Sequence, residues 1–311
     1  MGGIVQRSIR IFLFGNFEIF AGEKRLDGFA CQRARELLAF LALQDGRTCH
    51  RTLLAAALWG HLDEARARKS LNTELWRLAV AMKAVGVDPE PRLIRSTQEV
   101  GFTCQQGDWI DLSVFSSGVE HIGEIDPESA TDEKVLAVEN AVNVYRGDLL
   151  ETIYSDWCFV QREALRADQV AGLEFLMRAR MARQDWTGAL AAGTRLLGLD
   201  NLMENVHRAI MRCHYMAGNR PAAIRQYGIC EKLLRDELGV EPMEETRRVY
   251  ETMLAVTPRA EQAVTQEAAR PAAISRDPTR TPAQKVDLAL ANINTATGWL
   301  EDASRELRER R

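Results

Sequence analysis

One short run of this sequence concentrates side chains suited to a polyanion with readable edges. Arg66, Lys69, Ser70, Asn72, Thr73, Trp76 and Arg77 fall within twelve residues, and Glu74 is the one acid between Arg66 and Met82. At ~100° per residue, Leu71, Leu75, Leu78 and Met82 form a narrow apolar stripe. Arg66, Lys69, Thr73, Arg77 and Val80 lie opposite, with Ser70, Asn72 and Trp76 on the shoulders. A helix in the major groove of DNA needs long cations for phosphates and guanine edges, and short amides or hydroxyls for other base edges. Arg66, Lys69 and Arg77 supply the first kind, and Asn72 and Thr73 the second. A plain solvated face would mix more acids among these bases.

The surrounding elements must hold such a helix in place. Ile9–Phe20 reads as strands turning at Gly15-Asn16, with a second turn over Ala21–Lys24. Arg33–Leu43 carries Leu37, Leu38 and Leu41 on one helical stripe and stops at Asp45-Gly46. A second helix over Arg51–Leu58, with Thr48 as its cap, ends at Trp59-Gly60. The third runs from about Asp63 to Val85. Leu93–Arg95 and Gly101–Thr103 then flank a polar turn, as a hairpin does. Sheet, three helices and hairpin, in that order, are the layout of a winged helix-turn-helix. In that layout Arg51 abuts the DNA backbone, and Arg92, Arg95, Ser96 and Gln98 sit near the minor groove or its phosphates.

From about Asp111 the pattern is almost wholly helical. Gln184–Leu190 aligns with Gly218–Ile224 at an offset of 34 residues, which also sets Arg178 on Arg212 and Leu176 on Ile210. A turn, a small residue and an aliphatic recurring at that period mark tetratricopeptide (TPR) repeats. Glu133–Ala167 is expected to add helices that cap the stack. Residues 258–282 hold four of the nine prolines and read as a linker. A final helix, Ala283–Arg308, spaces Val286, Leu290, Ile293, Thr297, Leu300, Ser304 and Leu307 as a heptad seam.

The fold expected is mainly α with a small N-terminal sheet. Its parts are a winged helix over 8–105, a TPR-like domain over 106–255, a linker over 256–282 and an amphipathic helix over 283–311. Charge divides along the same lines. Residues 1–105 carry 15 Lys and Arg against 11 Asp and Glu, net +4, while 106–255 carry 16 against 25, net −9. A basic first part on an acidic body suits a DNA-binding role for the first part.

Other classes find little support. No apolar run approaches the ~18 residues of a membrane span, and no secretory signal is read at the N-terminus, so a cytoplasmic location without membrane contact is expected. The six cysteines are scattered without CxxC or Cys/His spacing, which suits reduced structural thiols. No nucleophile motif, metal spacing or GxxxxGK[ST] loop occurs. The expectation is a non-enzyme without metal or cofactor.

The run IRIFLFGNFEIF…RARELLAFLAL in Ile9–Leu43 resembles the start of the antibiotic-regulatory-protein (SARP) type of bacterial activator, whose DNA-binding domain is similar to that of OmpR-type response regulators. Asp111–Phe115, Tyr145–Leu150, Asp156-Trp157, Gln161–Leu165 and Glu237–Pro242, in this order, resemble a bacterial transcriptional activator domain. The resemblance implies an activator that binds direct promoter repeats as double-stranded DNA and recruits RNA polymerase through its sigma factor region. It also implies a homodimer or an oligomer assembled on DNA. Ala79 stands where the family usually has Arg, which removes one expected backbone contact. Asn201 follows Asp200 where proline is common. The alternative is a TPR-type interaction adaptor whose winged helix does not read DNA. The acidic repeats and the modest charge of the first part favour it.

Overall fold

A computed structural model describes residues 7–26, 32–44 and 46–255. The expected linker and C-terminal heptad helix lie outside these residues.

Strands β1 (Ile9–Phe12) and β2 (Glu18–Ala21) pair antiparallel across the Gly15-Asn16 turn, with Ile11 opposite Ile19. The alternation seen in sequence is physical: Ile9 and Ile11 are buried, while Arg10 is exposed. Strand β3 (Lys24–Arg25) extends this sheet beyond β2. Helices α1 (Gln32–Leu43), α2 (Arg51–Trp59) and α3 (Glu64–Ala84) follow close to the expected bounds. The expected Thr48 cap is corrected. Thr48–His50 forms strand β4, and the His50 ring accepts the Thr52 amide at 3.4 Å. Strands β5 (Leu93–Arg95) and β6 (Glu99–Phe102) form the hairpin, and β4 adds to β6. Leu37, Leu41, Leu54, Leu71, Leu78 and Phe102 meet in the core beneath the three helices.

Strand β7 (Trp109–Ile110) had no sequence signal. It runs parallel to β1, with Ile11 opposite Ile110. Two residues are too few to display an alternation. It leads directly into α4 (Asp111–Val119), a 3-10 turn (Ile122–Glu124) and α5 (Asp132–Val144).

The repeats follow as α6 (Asp156–Ala182) with α7 (Trp186–Leu199), then α8 (Glu204–Met216) with α9 (Arg220–Leu238), and α10 (Glu244–Ala255) at the end. The 34-residue offset has a local cause. Gln184 (φ 60°) and Gly218 (φ 78°) occupy the same left-handed position between paired helices. The next residues, Asp185 and Asn219, cap α7 and α9 by accepting the amides of Gly188 and Ala222 at 2.9 and 3.2 Å. Ala189 and Ala223 are then fully buried. At the α7–α8 crossing, a Cβ on Gly193 would come within 2.8 Å of Ile210.

The winged part and the helical part share one buried core. The Asp111 carboxylate accepts the amides of Leu13 (2.9 Å), Phe14 (3.0 Å) and Leu112 (2.8 Å). The Phe14 ring lies 5.0 Å from Phe115 and 4.6 Å from Tyr145. Arg162 donates to the carbonyls of Leu149, Leu150 and Ile153 at 2.7–3.0 Å. The Tyr145–Leu150 motif therefore builds the junction with the strand segment Leu13–Gly15, where Leu150 N donates to Leu13 O and Gly15 N to Asp148 O.

Candidate nucleic-acid interface

Asp63 starts α3 by accepting the Arg66 amide at 2.9 Å. Ala67, Leu71, Leu75, Leu78, Ala79 and Met82 turn inward, as does Glu74. Arg66, Lys69, Asn72, Thr73, Trp76 and Arg77 are exposed as expected, whereas Ser70 is half-buried. Trp76 is 64% exposed, so its ring is free to meet a partner surface. Ala79 sits at the edge of the buried stripe, so position 79 faces the core side rather than the middle of the exposed face.

A cleft of about 700 Å³ lies on one flank of α3. Arg51, Arg68, Asn72, Trp76, Arg95, Ser96 and Thr97 line it. The α2 N-terminus and the β5–β6 turn are locked together here. Arg51 N donates to Gln98 O at 2.8 Å, and its guanidinium donates to Ser96 O at 3.0 Å. The same guanidinium donates to the Asn72 side-chain oxygen. With that oxygen engaged, the Asn72 amide nitrogen points its donors elsewhere. Partial burial, and then the nearby Arg68 charge, hold the Arg51 guanidinium below its ordinary pKa. Two adjacent cations repel unless an anion lies between them. Ser96 Oγ accepts the Gln98 and Glu99 amides at 3.2 and 2.8 Å and so shapes the turn.

The geometry sorts the expected cations. Arg66 pairs with Asp63 at 3.2 Å, Arg95 with Glu90 at 2.6 Å, and Arg77 with the buried Glu74 at 2.6 Å. Lys69 and Arg68 have no acidic partner among the described residues, and Arg51 binds only neutral oxygens. Thr73 Oγ1 donates to Lys69 O at 2.9 Å.

Arg92 departs from the expectation. Its side chain is 1% exposed and fixed to the Asp108 carboxylate at 2.7 and 2.8 Å. It also donates to Asp88 O and Arg7 O. Arg92 ties the hairpin to the N-terminal sheet and does not reach a phosphate. Sequence reasoning also missed Arg68. Helical phase sets it near the apolar stripe, but the packing of α2 and the hairpin opens that edge. Arg68, Asn72 and Trp76 follow i, i+4, i+8 along one flank, and that spacing was legible.

Residues 110–254 match the bacterial transcriptional activator domain. The chain is similar to the transcriptional regulatory protein MoaR1 of Mycobacterium tuberculosis, at 26% identity over 230 residues, 73% of each chain. It is 24% identical to the regulatory protein DnrI of Streptomyces peucetius, over 73% of this chain and 85% of that one. It is 23% identical to the regulatory protein AfsR of Streptomyces coelicolor, over 76% of this chain and 23% of that one. The structure of Mycobacterium tuberculosis EmbR in complex with a low-affinity phosphopeptide aligns with a TM-score of 0.62 at 19% identity. That alignment covers 85% of this chain and 70% of the other, and it concerns the fold.

Proposed function

We propose that this chain, a SARP-type bacterial transcriptional activator with a winged helix and a bacterial transcriptional activator domain, reads promoter DNA with the flank of α3 that faces the hairpin. One observation carries the reading. Arg51, Arg68, Asn72 and Trp76 converge on an open cleft walled by the β5–β6 turn, and none of the three charges or dipoles there is neutralised by an acid. A phosphate between Arg51 and Arg68 relieves their repulsion. The Asn72 nitrogen then donates to a base-edge acceptor, and Trp76 covers a thymine methyl. Residues 8–105 act as the DNA-binding part and 106–255 as the activator part. Two or more protomers sit on direct repeats about one helical turn apart, and the assembly recruits RNA polymerase in the cytoplasm. The protein performs no catalysis.

The test is fluorescence anisotropy on its own upstream region at two salt concentrations. Lys69→Ala lowers the salt slope by about 0.9 if Lys69 neutralises one phosphate. Salt-insensitive or absent binding would favour the adaptor reading. Footprinting then reads the repeat spacing, and run-off transcription reads recruitment.

A further inference from the structure

We propose that the cleft between α6, α8 and the turn following α4 binds a small amphipathic anion, with one acidic head on an apolar body. The cleft encloses about 760 Å³, within the range of small-molecule sites. Phe175 and Met181 of α6 and Val206 and Ala209 of α8 form its apolar floor, and Ile122 and Ile125 wall the far side.

The head group is argued from two arginines. Arg178 and Arg212 line this cleft at equivalent positions of successive repeats, 34 residues apart. Neither has an ion pair or hydrogen bond among the described residues. Most other arginines of the domain do; Arg225, which also has none among those residues, is exposed and does not line the cleft. Arg180 holds Glu139 and Asp185, Arg183 holds Asp132, and Arg208 donates to Thr246. Two acids also line the cleft. Glu174 accepts from the Asn205 amide at 3.3 Å, and Glu128 stands on the turn. The lining thus sets two arginines beside two acids, and the acidic head sits at the arginines. Residues 106–255 carry a net −9, so the domain as a whole repels a polyacidic peptide. A single acidic head on an apolar body meets both the arginine pair and the floor.

The test uses the full chain, with decanoate below its micelle concentration as the probe, displacing the fluorescent anion 1-anilinonaphthalene-8-sulfonate. Expected are one decanoate site per chain and a loss of about tenfold or more in affinity for the Arg178→Ala/Arg212→Ala double variant. Ala209→Trp fills the floor and abolishes binding while keeping both charges. Decyltrimethylammonium, which carries the same tail with the opposite charge, fails to compete. Circular dichroism reports folding. Should Ala209→Trp not fold, the double variant decides alone, because both arginine side chains are exposed. Unchanged decanoate affinity in the double variant overturns the proposal. So does equal competition by the cationic detergent. Displacement by an acidic, apolar synthetic peptide but not by decanoate overturns it in favour of a peptide groove.

Discussion

Two arginines from the same fifty-residue stretch meet opposite fates. Arg51 lies at the lip of the α3 cleft, bound to a carbonyl and an amide oxygen, with room for an anion beside it. Arg92 lies behind the same hairpin with every direction filled: the Asp108 carboxylate, Asp88 O and Arg7 O. The cleft leaves Arg51 and Arg68 without a carboxylate among the described residues, while Arg92 in the interior has one. Arg51 is open to a ligand because the structure supplies it no carboxylate, and Arg92 is closed to one because a buried carboxylate holds it. Residue type alone does not separate the two cases.

The largest effect should fall on the satisfied side. Asp108 accepts from Arg92 twice and also from the amides of Ile9 and Gln105. Asp108→Ala leaves a buried guanidinium without a counter-charge, which costs roughly 3–5 kcal/mol. Urea unfolding should show that loss. A loss below 1 kcal/mol would mean that Arg92 finds water, and the contrast with Arg51 would collapse.

The junction gives the next effect. Burial raises the Asp111 carboxyl to about 6, against the pull of three amide hydrogen bonds that favour the ionised form. The folded value exceeds the ordinary 3.8, so the folded state holds the proton more tightly. The linked stabilisation is full below about pH 3.8 and is lost as pH rises through about 6. Between pH 7.5 and pH 5 the wild type should therefore gain about 1.4 kcal/mol. Asp111→Asn should lack that gain. Parallel pH profiles for the two proteins would show that Asp111 keeps an ordinary carboxylate pKa in the fold.

What was legible in the sequence follows the same division. Periodicity disclosed α1 and α3, because each has a core face repeated several times along its length, and cap and turn signals disclosed α2 and the hairpin. The repeat period disclosed the α6–α9 stack, because Asp185 and Asn219 perform the same capping task. Local pattern carried no trace of β7, of the Arg92–Asp108 pair or of the Asp111 clasp. These join segments 16 to 99 residues apart, and one residue at each end leaves no periodicity. The motifs around Asp111 and Tyr145 were legible as a resemblance, but nothing in them says that they build the junction. At the candidate site, phase gave the exposed side of α3 and missed which flank the hairpin adjoins. Arg68 was lost for that reason, and Arg92 was wrongly gained because its partner Asp108, 16 residues on, leaves no local signal.

Binding effects are smaller, and they test the flank directly. Arg68→Ala should lower the salt slope of DNA binding by about 0.9, with no loss of stability, because Arg68 is exposed and has no acidic partner among the described residues. Arg77→Ala is the less clean test. It strips Glu74 of its only partner among the described residues, and Glu74 is buried with its second oxygen already unpaired. That variant should lose about 1–3 kcal/mol of stability before DNA is added. Equal unfolding midpoints for Arg68→Ala and Arg77→Ala would show that Glu74 reaches solvent.

The smallest effect is expected at Arg66, and it is the most discriminating. Arg66 is exposed on the flank of α3 away from Arg51, and its charge is offset by Asp63, the residue that caps the helix. An exposed pair of this kind is worth about 0–1 kcal/mol, so DNA could release Arg66 cheaply if the backbone passed nearby. Helical phase alone centres the groove face on Lys69 and Thr73, which would bring Arg66 and Arg77 to the phosphates. The cleft centres it on Asn72 and Trp76, which brings Arg51 and Arg68 there instead. With the cleft-centred docking, Arg66→Ala should change the salt slope by less than half of the Arg68→Ala change, measured on the same duplex. A larger change at Arg66 than at Arg68 would turn α3 in the groove by about 60°, the angle between the Asn72–Trp76 face and the Lys69–Thr73 face. Asn72 would then no longer be the residue that meets a base.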